Sequence, residues 1–323
     1  MNEVNYLIEC IPNISEGRDE SKINEIIAHI STPKVQILNV DIGYDANRTV
    51  ITIIGGVVDV FATIRRLYHK TATIIDMAIH DGQHPRLGAV DICPFVPLDP
   101  NNVEDLKARV EVLSRELSLE LSIPVFLYAL SSIGIIKTLP HLRAGEYETL
   151  INSPGQMAYN ADFGGSHLNR SFGGTVFGVR DFMIAYNINI NTNDLSVAKK
   201  IAKKMRNLRQ KKGLYQDKDI RPLQIMGWYM EAYGCCQIST NIHNPRTLSI
   251  ADVYFFVAEI SNHFEVETSS SELIGMIPGF AVSIANKSLV QKNIKKPLVQ
   301  ALGLDFNGPF QLTERIIPFS SIL

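Results

Sequence analysis

Short apolar runs alternate along this chain with longer stretches of helical periodicity. Residues 6–11 are an apolar run closed by Pro12, Asn13 and Gly17, which predicts a strand ended by a turn. Residues 19–31 put Ile23, Ile26, Ile27 and Ile30 on one helical face. Residues 35–41 and 49–55 predict two strands around a turn rich in Gly, Asp and Asn. Residues 57–73 then carry Val60, Ile64 and Leu67 at helical spacing, and residues 90–96 predict another strand. This β-α-β-β-α-β order is that of a split βαβ, or ferredoxin-like, unit. An annex follows, with a helix over 103–120 that turns Leu106, Val110, Leu113 and Leu117 inward and a strand over 124–129. The stretch 151–178, rich in Gly, Asn and Ser, reads as loop.

The rhythm then repeats. Strand 182–190 precedes helix 194–212, whose stripe is Val197, Ile201, Met205 and Leu208 and whose C-cap is Gly213. Strands 223–230 and 236–242 flank a turn at 232–234, a helix covers 249–264, and residues 272–277 close the unit. The tail predicts one helix and loose structure after Arg315. The expected fold class is therefore α+β, with two ferredoxin-like subdomains over 1–180 and 181–323. Each sheet carries helices on one face, and two open faces that cover each other enclose a ligand groove.

Bulk properties narrow the function. A net charge of -2, with 46% hydrophobic and 20% charged residues, fits a soluble globular protein and neither wraps nucleic acid nor sits on an anionic membrane. Cys10, Cys93, Cys235 and Cys236 form no CxxC pair and suit a reducing cytoplasm. The first residues carry neither a basic leader nor a long apolar stretch, and no apolar run approaches the roughly 20 residues of a membrane span. The basic run 199–212 reads as the solvated face of a helix, with attraction of a polyanionic ligand tail as the sharper alternative.

Three segments carry candidate chemistry. The first, His80 to Asp91, gathers two histidines, Arg86 and two carboxylates in a connection leading into a strand. Pro85 restricts the backbone of His84, and an imidazole there can take and return a proton near neutrality. A polar surface loop is the other reading of the same residues. Zinc binding by His80 and His84 would need a helix, which Gly82 and Pro85 disfavour, so no metal is expected. In the second segment, residues 39–49, Asp41 falls at a strand end and Arg48 can bind a carboxylate through two parallel hydrogen bonds; an Asx-rich turn is the plain alternative. In the third, residues 161–175, glycines 164, 165, 173 and 174 permit close backbone approach, and Phe163 and Phe172 offer rings for stacking; an inter-domain linker has the same composition. No GxSxG elbow, dinucleotide fingerprint or Walker loop occurs.

The segments IECIPNISEGRD, NVDIGYDANRTVITIIG and above all IDMAIHDGQHPRLGAVDICPFVPL resemble the glutamate formiminotransferase family, as do TLPHLRAGEYE, ADFGGS, GTVFGVR, AYNINI, QIMGWY, QISTNI and ERII, in family order from residue 8 to about 317. The resemblance covers the formiminotransferase part alone. It implies two α/β subdomains whose facing sheets form a ligand tunnel, a homodimer, and tetrahydrofolate as co-substrate accepting the formimino group of N-formimino-L-glutamate. A separate cyclodeaminase is compatible with it as a partner. It also implies His84 as the catalytic histidine with Asp41 beside it. The folate-contacting loop falls on Gly164, Gly165, Ser166, His167, Leu168, Asn169, Arg170, Ser171, Phe172 and Gly173, and Arg48, Arg86 and Asn13 are further substrate-binding candidates. Departures from the family pattern are Gln83 and Asn39, where carboxylates are common, Val179, where alanine is usual, and residues 167–170. The losses of charge bear on the pKa of His84. Formyl transfer from N-formylglutamate, isomerisation or cyclisation of 5-formyltetrahydrofolate, and folate binding without catalysis are the alternatives.

Overall fold

The computed structural model describes residues 5–153, 157, 159–165 and 167–318. The chain divides into two compact units, Met1–Arg180 and Asp181–Leu323. In the first unit β1 (Leu7–Cys10) and β2 (Asn13–Ile14) precede α1 (Glu20–Ile30), β3 (Val35–Gly43), β4 (Arg48–Gly56), α2 (Val57–Ile74) and β5 (Val90–Pro97). Then come α3 (Val103–Leu121), β6 (Val125–Leu127), α4 (Leu139–Leu142), α5 (Glu146–Asn152) and β7 (Thr175–Val179). The strand expected over 6–11 is β1, and Pro12, which lacks the N–H that a continuous ladder requires, separates it from the short β2. Both pieces lie between β4 and β5, antiparallel to each. β3 extends the sheet beyond β4, while β7 runs parallel to β5 and β6 parallel to β7.

Helix boundaries follow from local chemistry. The Asp19 carboxylate caps α1 by accepting from the amides of Ser21 and Lys22. α3 buries Leu106, Val110, Leu113 and Leu117, each contributing about 1.5–3 kcal/mol on leaving water. These helices and the sheet form one apolar core.

Residues 175–179 are not loop. Every residue of β7 is buried at the centre of the parallel part of the sheet. A strand covered on both faces shows no alternation, and its Gly178 lies against Tyr128, where a Cβ would stand 2.4 Å from the carbonyl oxygen.

In the second unit β8 (Ile184–Ile190), α6 (Leu195–Lys212), the short pair β9 (Leu214–Tyr215) and β10 (Lys218–Asp219), β11 (Leu223–Met230), β12 (Cys235–Ile242), α7 (Ile250–Asn262) and β13 (Thr268–Ile274) follow in turn. The four long strands form an antiparallel sheet in the order β11-β12-β8-β13. Gly213 ends α6 with a left-handed C-cap, at φ 66°. Ser249 and Asp252 form a reciprocal capping box at the start of α7. β14 (Ile277–Pro278), α8 (Gly279–Gln291), α9 (Leu298–Leu302) and β15 (Ile316–Ile317) complete the unit. Residues 316 and 317 thus form a strand where loose structure was expected. Ile316 and Ile317 pair in parallel with Ile277 and Pro278, and Ile317 is buried. Residues 319–323 lie outside the described residues.

Candidate active site

The connection from α2 to β5 is irregular, and its backbone is held from two sides. On one side it meets the β3–β4 turn. The Asn47 side chain accepts from the Gly17 amide at 2.9 Å and donates to the Asp81 carbonyl at 2.6 Å. Gly82 sits against this turn, where a Cβ would lie 2.6 Å from the Ala46 carbonyl oxygen. On the other side it meets residues 171–174. The Ala89 amide donates to the Phe172 carbonyl at 2.7 Å, and the Gly174 amide donates to the Leu87 carbonyl at 3.0 Å. The first and third candidate segments are therefore neighbours.

His80 is locked in one tautomer. Its Nδ1 accepts from Arg86 Nε at 3.0 Å, so Nε2 carries the hydrogen that reaches the Asn47 carbonyl at 3.1 Å. Burial and then the Arg86 charge hold its pKa below the ordinary histidine value.

His84, half-buried, is in the opposite tautomer. Its Nδ1 lies 2.9 Å from the Pro85 carbonyl oxygen, which can only accept, so Nδ1 is protonated and Nε2 presents a lone pair. Arg48 Nη1 approaches that lone pair at 3.4 Å, a long and weak hydrogen bond. Burial first, then the guanidinium groups of Arg48 and Arg143, push the His84 pKa well below its usual value; Arg86 adds to them and the Pro85 hydrogen bond opposes them. The ring is neutral at pH 7, a base whose conjugate acid is strong.

The counter-charge to these guanidinium groups is Asp91, fully buried at the start of β5. It accepts from Arg48 Nη2 at 2.7 Å, from the Leu87 amide at 2.9 Å, and from Arg143 through both Nη2 and Nε. Burial and the neighbouring Arg143 bring the Arg48 pKa down to about 9, still high enough to keep its charge. Arg86 is buried and engaged by Glu148, Glu146 and the His80 ring and carbonyl. Sequence reasoning had not singled out Arg143, Glu146 or Glu148, which α4 and α5 position. A signal existed for Asp91, a single carboxylate inside an otherwise apolar strand.

Asp41 pairs with Val50, Val50 with Asn13, and Asn13 with Ile92, so these side chains share one face of the sheet, as does Arg48 two residues before Val50. Asn39 donates to the Asp41 carboxylate at 3.0 Å, and Asn13 donates to the Ile11 carbonyl at 3.0 Å. Within the glycine-rich segment, Asn169 organises a tight turn by accepting from the Ser171 and Phe172 amides. Leu168 and Phe172 are buried, and Phe172 stacks on Tyr68 in the core, which leaves its ring no free face for a heterocycle. Gly164 and Gly173 face backbone oxygens that a Cβ would approach to 2.1 and 2.2 Å, whereas a Cβ on Gly165 would meet nothing within 4 Å. His167 and Arg170 both lie at the surface, and Asn169 is half-buried; Ser166 lies outside the described residues.

A neutral imidazole beside a cluster of guanidinium groups, on a two-unit α+β chain, has the equipment for proton transfer on a small polar substrate. The chain belongs to the formiminotransferase family: residues 7–180 match the formiminotransferase domain, N-terminal subdomain, and residues 185–321 match the formiminotransferase domain. It is 34% identical to the glutamate formimidoyltransferase of Thermoplasma acidophilum, with 89% of this chain and 93% of that protein aligned. Identity to the glutamate formimidoyltransferase of Streptococcus pyogenes serotype M1 is 29%, over 85% and 90% of the two chains. The formimidoyltransferase-cyclodeaminase of Rattus norvegicus is 34% identical across 98% of this chain, which spans 60% of the length of that relative.

Proposed function

We propose that this protein is a glutamate formimidoyltransferase, which moves the formimino group of N-formimino-L-glutamate to N5 of tetrahydrofolate and releases L-glutamate. The observation that carries the reading is the His84 ring, kept neutral with its Nε2 lone pair facing Arg48 across a long 3.4 Å contact, in a segment that carries the family resemblance. The names and lengths of the archaeal and bacterial relatives support it.

In this mechanism N5 attacks the formimino carbon, and Nε2 of His84 accepts the proton that N5 loses. Burial and the nearby guanidinium groups disfavour the resulting imidazolium, so the proton passes readily to the departing glutamate nitrogen. Acid–base help of this kind contributes about 10²–10⁴-fold in rate. Arg48 and Arg143 place positive charge where substrate carboxylates are attracted, while Asp41 and Asn13 line the neighbouring sheet face. Arg86, held by Glu148 and His80, orients the segment instead of meeting the substrate. Each unit is read as a ferredoxin-like split βαβ fold, supported by the strand orders β3-β4-β1/β2-β5 and β11-β12-β8-β13. Folate contact by residues 164–173, a homodimer and a cytoplasmic location are expectations supported by the family resemblance.

The test is turnover of formiminoglutamate and N-formylglutamate side by side, with tetrahydrofolate as acceptor. The expected result is activity with the formimino donor and a loss of at least about 10²-fold in kcat for His84→Ala. Turnover with the formyl donor alone, or an unchanged rate in the variant, overturns the reading.

A further inference from the structure

The basic run over residues 199–212 has no part in the site around His84. It lies on α6, where eight of the eighteen residues from Leu195 to Lys212 are Lys or Arg and none is acidic. The two arginines have a structural task. Arg206 Nη1 donates to the Ile225 carbonyl at 2.8 Å and Arg209 donates to the Leu223 carbonyl, so both cover the free edge of β11.

The lysines have no such task. On α3 the cations Lys107, Arg109 and Arg115 pair with Glu104, Asp105 and Glu111 of the same helix. In the second unit the ion pairs among the described residues are Lys218 with Asp252 and Arg221 with Asp219, and neither includes a lysine of α6. Lys199 and Lys203, and likewise Lys200 and Lys204, are like charges four residues apart, which destabilises a helix. Lys211 and Lys212 lie in the last turn, where the helix dipole suits a cation, but Lys200, Lys203 and Lys204 lie too far from that end to gain from it.

These lysines border a concave surface. Lys200, Lys203, Lys204 and Lys211, with Asn207, line a groove of about 350 Å³ on the side of α6 opposite its buried residues Ala198, Ile201, Ala202 and Met205. Leu208 and Phe264 supply its apolar lining, and Lys204 Nζ lies 5.5 Å from the centroid of the Phe264 ring. No carboxylate lines the groove among the described residues.

The side chains select the ligand. Positions three and four apart on a helix have Cβ atoms about 5–6 Å apart, and flexible four-carbon stems let their amines converge on one chain of anions. Lysine binds phosphate as a point charge, whereas a carboxylate is matched best by the planar fork of arginine. The groove holds four lysines and no arginine.

We propose that this groove binds an oligophosphate chain, with Lys200, Lys203, Lys204 and Lys211 as its cations. A nucleoside triphosphate and inorganic tripolyphosphate share that chain, and Leu208 and Phe264 give the nucleoside an apolar neighbour for its base. The site uses none of the residues assigned to formimino transfer and does not depend on that reading.

The full chain is titrated calorimetrically with tripolyphosphate, with ATP and with an oligoglutamate of equal charge, at about 0.15 M salt, where the Debye length of about 8 Å suppresses diffuse attraction. One saturable site for each phosphate ligand is expected, with Kd below about 100 μM, and at least about tenfold weaker binding of the oligoglutamate. Tighter binding of ATP than of tripolyphosphate identifies a nucleotide as the source of the chain, and the reverse order an inorganic one; either supports the groove. Lys203→Gln with Lys211→Gln, both at exposed positions, should weaken the phosphate ligands about tenfold or more. Lys199→Gln with Lys212→Gln removes the same charge from the same helix outside the groove and should change binding by less than about twofold. Absence of saturable binding, or equal losses from the two pairs of substitutions, overturns the site. Oligoglutamate binding as tight as tripolyphosphate overturns the phosphate assignment.

Discussion

Asp91→Asn removes one charge and almost no volume, and it tests whether the buried carboxylate balances the guanidinium groups around His84. Asp91 is fully buried and receives N–H groups from Arg48, Arg143 and Leu87. An asparagine in its place offers one acceptor oxygen and turns an NH2 group toward donors, leaving Arg48 and Arg143 without their shared anion. Breaking a buried ion pair by removing one partner costs about 3–5 kcal/mol. With a urea slope of about 2 kcal/mol per molar, the unfolding midpoint should fall by about 2 M, read by circular dichroism. The double variant Asp91→Asn with Arg143→Met should recover part of the loss, because it also removes a cation that the first change left unbalanced. A midpoint shift under about 0.3 M for Asp91→Asn would refute the reasoning.

Other outcomes follow from the same geometry. The His84 pKa lies well below 6.5, so the neutral base persists as pH falls through that value, and the acid limb of kcat/KM should appear below pH 6.5; Arg48→Gln, which removes a nearby cation, should move it upward. A limb at or above 6.5 in the unaltered protein contradicts the charge argument. Glu9, buried on β1, has its pKa raised from 4.5 to about 7, by burial against the opposing pull of Arg180. The folded state therefore holds a proton that the unfolded chain has lost between these values, so this group's penalty on stability grows as pH rises from 4.5 to 7. Glu9→Gln should raise the Tm at pH 8 and change it little at pH 4.5; the reverse order would contradict the assignment. Gly173→Ala puts a Cβ against the Leu87 carbonyl at a φ of +80°. Overpacking and left-handed strain together should cost at least about 2 kcal/mol by urea denaturation, and a loss below about 0.5 kcal/mol would show that the backbone yields there.

Much of the framework was legible in the sequence wherever one face of an element meets water. The stripe of α3 and the left-handed cap at Gly213 are examples, since amphipathic spacing and φ > 0 leave marks in the residues themselves. β7 left no such mark, because a strand buried on both faces has no polar alternate residues and its Gly178 resembles loop composition. The glycines near 164–174 suggested a cradle for a ligand. At Gly164 and Gly173 the close neighbour is the protein's own backbone. His84 stood out by its company in the chain, but its low proton affinity rests on burial first and then on Arg48 and Arg143, and Arg143 reaches the site through Asp91, 52 residues away in sequence. Spacing alone does not encode such a meeting.

The sign of the charge around His84 bears on the order of events in the proposed reaction. Burial first, then Arg48 and Arg143, depress the proton affinity of His84, and both guanidinium groups are ion-paired with Asp91. A donor with a free carboxylate would bring negative charge toward those guanidinium groups and raise the affinity of Nε2 for a proton. The imidazole would then be a weak base before the donor arrives and a better matched one afterward. When glutamate departs with the proton, its negative charge leaves as well, and the ring returns to the neutral form in which the next cycle begins. The buried guanidinium–carboxylate cluster can therefore attract the donor and tune the base with the same charges.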